Sequence, residues 1–241
     1  MKAAGGHRMH DVGDEIAALN NAEWCAAIWR SHGLPVETAH GLWFCRRPTP
    51  QYYPNVVTVE LGADPLAQTR FITDLRRADP DLDLSVKDSF ACLDLKAAGL
   101  KPLFDARWLW RAATLAGTSD ETLDWRRIED EPGLAVWERA WRAEDQNSER
   151  IFRLGLLEDR HVTVLGGFDA AGILGSGGIA YDAAGVLGVT NIFGSRRRFL
   201  NALRASAPGR PVVAYEAGGD PASAQSYGFE PLGALRVWVR A

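Results

Sequence analysis

The chain has 241 residues, enough for one large domain or two small ones. With 46% hydrophobic and 24% charged residues, its composition is that of a folded globular protein and excludes a low-complexity chain. A formal net charge of -4 argues against nucleic acid as the main partner, since phosphate-backbone binders carry a basic excess.

The start, MKAAGGHRMH, lacks the apolar core of a signal peptide. No apolar run approaches the roughly 20 residues that a membrane span needs. Cys25, Cys45 and Cys92 form no CxxC pair and have no His at metal-ligand spacing, so they read as small buried residues. These features predict a cytoplasmic protein with three free thiols, no metal and no membrane contact.

Glu15 to Arg30 has helical periodicity, with Ile16, Leu19, Ala27 and Ile28 near one face. Leu42–Cys45 and Asn55–Val59 read as strands, Pro65–Ala78 as a helix, Leu84–Val86 as a short strand, Leu93–Ala98 as a short helix, and Phe104–Trp110 as a strand. After a polar connector at Gly117–Glu121, a helix is expected over Leu134–Trp141. Three strands follow, His161–Phe168, Ile173–Tyr181 and Val186–Phe193, joined by two Asp-Ala-Ala-Gly turns that suit antiparallel hairpins. A helix over Arg196–Ser206, a strand over Pro211–Tyr215, a short helix over Pro221–Tyr227 and a strand over Leu235–Arg240 complete the chain. A strand–helix–strand step after a meander makes the Val186–Phe193 and Val212–Tyr215 strands parallel neighbours.

The chain also repeats. Gly99–Ala112 aligns without gaps with Gly228–Ala241, with Gly99/Gly228, Pro102/Pro231, Leu103/Leu232, Arg107/Arg236, Arg111/Arg240 and Ala112/Ala241 identical. Upstream, Arg70-Phe71, Leu75-Arg76 and Pro80 align with Arg198-Phe199, Leu203-Arg204 and Pro208. The two offsets differ by one residue. Such agreement in one order predicts two copies of one architecture, with a boundary in the Ala113–Asp124 stretch: a first half of residues 1–118 and a second of 119–241. Only two meander strands are evident in the first half, which therefore reads as a partial copy.

The element order of Trp125–Ala241, and above all Ser223-Ala-Gln-Ser-Tyr-Gly228-Phe229-Glu-Pro-Leu before the last strand, resembles the GCN5-related N-acetyltransferase (GNAT) superfamily. The first half resembles the degenerate N-terminal copy of its tandem members. The resemblance implies an α/β (α+β) fold of two GNAT-like halves, each a mixed, mainly antiparallel sheet flanked by helices. It implies acetyl-CoA or another acyl-CoA as co-substrate, bound in the second half, and a small-molecule or peptide amine as acceptor.

The family's pyrophosphate loop is Arg/Gln-x-x-Gly-x-Gly/Ala. The matching stretch here, Phe193-Gly194-Ser195-Arg196-Arg197-Arg198, has one Gly but keeps a helix start with three arginines, which suits an anion; the alternative is a solvated first turn. The family's thioester strand corresponds to Val189–Ile192, whose backbone would supply a donor. Asn191 would orient a ligand or satisfy backbone. The position of the family's Tyr acid is Ala224, and Tyr227 reads as a packing residue. Tyr215 and Tyr181 are candidate acids. Glu216, at the carboxyl end of a parallel strand, is a candidate general base or a ligand of loop amides. The functional reading is an acyl-CoA-dependent N-acyltransferase; the alternative is a non-catalytic relative that binds a small ligand or a protein. Transfer from aminoacyl-tRNA is disfavoured by the acidic balance.

Overall fold

The computed structural model describes residues 4–113, 123–143, 149–218 and 221–241. The expected boundary at 118/119 and the connector Gly117–Glu121 lie outside the described residues. The elements are α1 (Ala4–Ser31), β1 (Glu37–Ala39), β2 (Leu42–Phe44), β3 (Val56–Thr58), α2 (Pro65–Ala78), β4 (Val86–Asp88), a 3-10 turn (Lys96–Ala98) and β5 (Leu100–Arg111). There follow β6 (Asp124–Arg127), α3 (Glu131–Arg142), a 3-10 turn (Leu154–Leu156), β7 (Val162–Phe168), β8 (Leu174–Ala183), β9 (Val186–Phe193), α4 (Arg196–Ser206), β10 (Val212–Ala217), α5 (Pro221–Ser226) and β11 (Glu230–Arg240).

The eleven strands of the described residues join one mixed sheet in the order β1-β2-β3-β4-β11-β5-β10-β9-β8-β7-β6. The parallel neighbours are β3 with β4 and β9 with β10. The first half has three short meander strands where two were expected; β1, Glu37–Ala39, pairs with β2 across the His40-Gly41 turn. It is too short and too polar to carry a readable alternation.

The halves exchange their last strands. β5 leaves its own half and pairs antiparallel with β10, while β11 pairs antiparallel with β4. The two exchanged strands pair with each other in the middle of the sheet. Their register obeys the sequence repeat: Ala106 faces Leu235, its own equivalent at the offset that relates Gly99 to Gly228. Pairs mirror one another about that centre, Arg107–Ala234 against Asp105–Arg236, and Trp110–Glu230 against Lys101–Val239. An approximate twofold axis therefore passes through the Ala106–Leu235 pair.

Helix starts are fixed by side-chain caps. Asp64 accepts from the Leu66 amide ahead of α2, Asp130 from the Gly133 amide in α3, and Ser195 from the Arg198 amide in α4. α2 and α4 pack on one face of the sheet through Ile72 and Leu75 and through Phe199, Leu200 and Leu203. α1 and α3 cover the other face. α1 is buried on nearly all sides from Trp24 to Trp29, and it crosses from β3 over the central strands to β8. Helices enclosed in this way are apolar around the whole circumference rather than amphipathic.

Asn20 of α1 locks this crossing. Its Nδ2 donates to the carbonyls of Tyr181 (3.0 Å), Ala183 (3.1 Å) and Val186 (3.3 Å) at the β8–β9 turn. The close approach needs Gly188 on β9, because a methyl group there would overlap Asn20 Oδ1. Gly188→Ala is expected to destabilise the protein by about 1–3 kcal/mol, the usual range for overpacking, read as a lower urea midpoint at unchanged m-value.

All three cysteines are free; Cys25 and Cys45 are buried and Cys92 is exposed. The Cys92 thiol is pushed up to about 11, first by partial burial and then by the Asp88 carboxylate, which lies 3.8 Å from Sγ. Native alkylation of Cys92 is therefore expected to be slow at pH 8 and to rise steeply toward pH 11, as the thiolate forms. A rate plateau below pH 9 in a pH series would contradict this.

Candidate functional site

β9 and β10 are parallel neighbours only at Leu187–Val212 and Gly188–Val213. Beyond these pairs they separate, and a cleft of about 200 Å³ opens between them. Its walls include Val189, Thr190, Asn191 and Ile192 of β9, Ala214 and Tyr215 of β10, Arg196 and Leu200 of α4, and Leu109 and Phe229. The separation starts at a bulge. β9 uses three residues from Thr190 to Phe193 where β8 uses two, and Asn191 takes φ 52°. A bulge bends its strand and re-aims the local backbone. Asn191 is fixed in this left-handed conformation by Oδ1, which accepts from Thr190 Oγ1 (2.9 Å) and Tyr53 Oη (3.3 Å).

β9 ends on Gly194, with φ 67°. A side chain at Gly194 would strike the backbone of Gly175 and Ser176, so the turn into α4 requires Gly. The Ser195 amide donates to Ser176 Oγ (3.0 Å), which itself donates to the Phe193 carbonyl (3.1 Å). With Ser195 capping Arg198, the first-turn amides of Arg196 and Arg197 are left to face solvent or an anion. Gly194 and Arg197 are exposed, and Ser195 and Arg196 half-buried.

Not all of the residues singled out from the sequence meet at the cleft. Val189, Asn191, Ile192 and Arg196 line the cleft, and Gly194, Ser195 and Arg197 form the turn at its mouth. Phe193 points elsewhere: its ring packs 5.3 Å from Trp137 on the α1–α3 face. Glu216 and Arg196 are paired with each other, Oε1 to Nη1 at 3.1 Å, so each occupies the other's charge. The Tyr215 ring lies on the α1 side, edge-on to Trp108 (5.8 Å), with the buried Lys87 ammonium 4.3 Å from its centre. Lys87 Nζ also donates to Asn21 Oδ1 (2.9 Å). Tyr181 is buried, and burial raises its hydroxyl pKa further above neutrality, which makes it a poor proton donor. Ala224 is buried on α5, so no acid stands at that position. Tyr227 packs with the core beside α4 and under the Arg196 guanidinium (5.8 Å).

The matching place in the first half is closed. Thr58 Oγ1 accepts from the Ser89 amide at 2.7 Å, bridging the strands where β9 and β10 separate. α2 also begins with a carboxylate cap, Asp64, and with Pro65, which has no N–H. That start repels an anion and offers it one donor fewer.

No family model and no curated protein matches the sequence. Solved structures do match. A GCN5-related N-acetyltransferase from Kribbella flavida aligns with TM-score 0.62 at 15% identity, over 93% of this chain and 95% of that one. The fold is that of the GCN5-related N-acetyltransferases. A second such enzyme, from Sphaerobacter thermophilus, aligns with TM-score 0.53 at 11% identity over 84% of this chain and 81% of that one. A conserved protein of unknown function from Staphylococcus epidermidis aligns with TM-score 0.51 at 10% identity over 82% and 83%. Within this GNAT fold, sequence reasoning missed Leu109, which walls the cleft, and Tyr53, which holds Asn191. Leu109 reaches the cleft only because β5 is exchanged, which no local pattern signals.

Proposed function

We propose that this chain is an acyl-CoA-dependent N-acyltransferase that moves an acetyl or other acyl group from the thioester to an amine, using the β9–β10 cleft of the second half. The observation that carries the reading is the separation of β9 from β10 at the Asn191 bulge, directly before a helix start bearing Arg196 and Arg197. The residues present fit the co-substrate. The Arg196 and Arg197 amides and side chains would hold the pyrophosphate, and the walls from Val189 to Ile192 and from Ala214 to Tyr215 would hold the pantetheine arm.

The co-substrate supplies the acyl group as a thioester. The acceptor amine, neutral at nitrogen, attacks that carbonyl carbon; a C–N bond forms and the C–S bond breaks. The thiolate takes up one proton and the amide nitrogen gives one up. The protein's part is positioning and oxyanion stabilisation by the backbone edge of β9 that β10 leaves unpaired. Glu216 would accept the amine proton once an anion on the Arg196 side competes for its partner. Tyr215 is held on the far face and would act through its backbone rather than as an acid.

A second reading, a non-catalytic protein that binds acyl-CoA, another small ligand or a protein, is favoured by Ala224 and by the Arg196–Glu216 pair. Calorimetric titration with acetyl-CoA and CoA, followed by thiol release with an amine panel, separates the two. Binding with thiol release supports the enzyme; binding without release supports the second reading; no binding at millimolar concentration overturns both acyl-CoA assignments. If CoA binds, replacing Arg196 and Arg197 together with Ala is expected to weaken it by about 1–3 kcal/mol, the range for hydrogen bonds to charged groups. A double variant with wild-type affinity would remove the arginines from the site.

A further inference from the structure

The cleft has two sides, and the acceptor has room on only one. Through the gap between β9 and β10, the space toward α1 is about 10 Å³, enclosed by Ala17, Asn20, Asn21 and Trp24 with Thr190 and Tyr215. That is space for one water and for no amine substrate. On the opposite face a groove of about 460 Å³ runs over β5 and β11, the two exchanged strands. Leu109 walls both the cleft and the groove, so the two spaces adjoin.

Among the described residues the groove carries one unmatched charge, and the internal alignment indicates what is missing. Arg236 faces Asp105 across β11–β5, and the two form a two-pronged pair, Nε–Oδ1 at 2.6 Å and Nη2–Oδ2 at 3.3 Å. That contact holds the Asp105 carboxyl below its usual range and the Arg236 guanidinium above its own. The mirror pair is Arg107 facing Ala234. The arginine is kept and the aspartate is replaced by a methyl group. Arg107 also stands in register with Glu216 on β10, but Glu216 turns to Arg196. Among the described residues the exposed Arg107 guanidinium has no hydrogen-bond or ion-pair partner. Arginine forks match carboxylates with two parallel bonds, and Ala234 leaves open the volume that such a carboxylate would fill.

We propose that Arg107 binds the carboxylate of the acceptor, in the place that Asp105 takes beside Arg236, and that the acceptor is therefore a small amino carboxylate. This rests on the acyltransferase reading, and it specifies the acceptor's chemistry. The amine then reaches past Leu109 to the cleft level of Ala214, two strand positions or about 7 Å from Arg107 along β5.

The test is thiol release from acetyl-CoA with α- and ω-amino acids, each set against the amine that lacks the carboxylate. The amino acids are expected to be the better acceptors. Arg107→Ala is expected to raise the acceptor KM about 10–100-fold, the span for a lost charged hydrogen bond, with acetyl-CoA affinity by calorimetry unchanged. Ala234→Asp, which restores the internal partner, is expected to raise the acceptor KM in the same way without removing the arginine. Equal use of amines with and without the carboxylate, or an acceptor KM unmoved in both variants, overturns the proposal. If acetyl-CoA does not bind, the acyltransferase reading fails on its own. The subsite is then read by saturation-transfer NMR with the same amino acids: binding lost in Arg107→Ala supports it, and no binding to the wild-type chain overturns it.

Discussion

The structure depends on the antiparallel pairing of β5 with β11. These are the two longest strands, and each has left its own half to lie in the other. Exchanged, they weld eleven strands into one sheet with backbone hydrogen bonds at its centre. Trp108 and Trp238 are buried on opposite faces of this pair, and Trp108 Nε1 donates to the Ser89 carbonyl at 2.7 Å, tying β5 to the half it left. The pairing also makes α1 a shared element, since its one helix covers strands from both copies.

A symmetric frame carries an asymmetric chemistry. The twofold relation places Tyr215 and Glu216 where the first half has Lys87 and Asp88, by the same register rules. In the first half Asp88 is fully buried and accepts from the Cys92 and Leu93 amides, which closes the loop behind β4. In the second half Glu216 stays part-exposed at the rim of the groove. Thr58 and Ser89 bridge β3 to β4, whereas the Asn191 bulge parts β9 from β10. The first half is therefore closed where the second half is open. Lys87, buried under α1, donates to Asn21 Oδ1 and lies over the face of Tyr215, with no carboxylate partner among the described residues.

Much of the frame was legible because it rests on local signals. α2 and α4 match the expected bounds, since Asp64-Pro65 and Ser195 are strong helix starts followed by apolar residues at helical spacing. β9 matches as well, bounded by Gly185 and Gly194. The internal alignment rests on identities such as Arg107 and Arg236, which stand one position either side of the Ala106–Leu235 pair in the β5–β11 register. The exchange was not, because antiparallel partners are chosen by long-range register, and β5 fits β4 and β10 equally well as a pattern. β6 and β1 were missed because edge strands of three or four residues with exposed charges carry no periodicity. At the site, the Gly194 turn was visible as a motif. The Arg196–Glu216 pair was not, for it joins residues twenty positions apart on different elements.

A crystal structure of the full chain with CoA would decide where the co-substrate sits. The pyrophosphate is expected at the Arg196 and Arg197 amides, the pantetheine arm between Asn191 and Ala214, and the Arg196–Glu216 pair broken or shifted. CoA bound between β3 and β4, on the α1 face, or nowhere near α4 would contradict this placement.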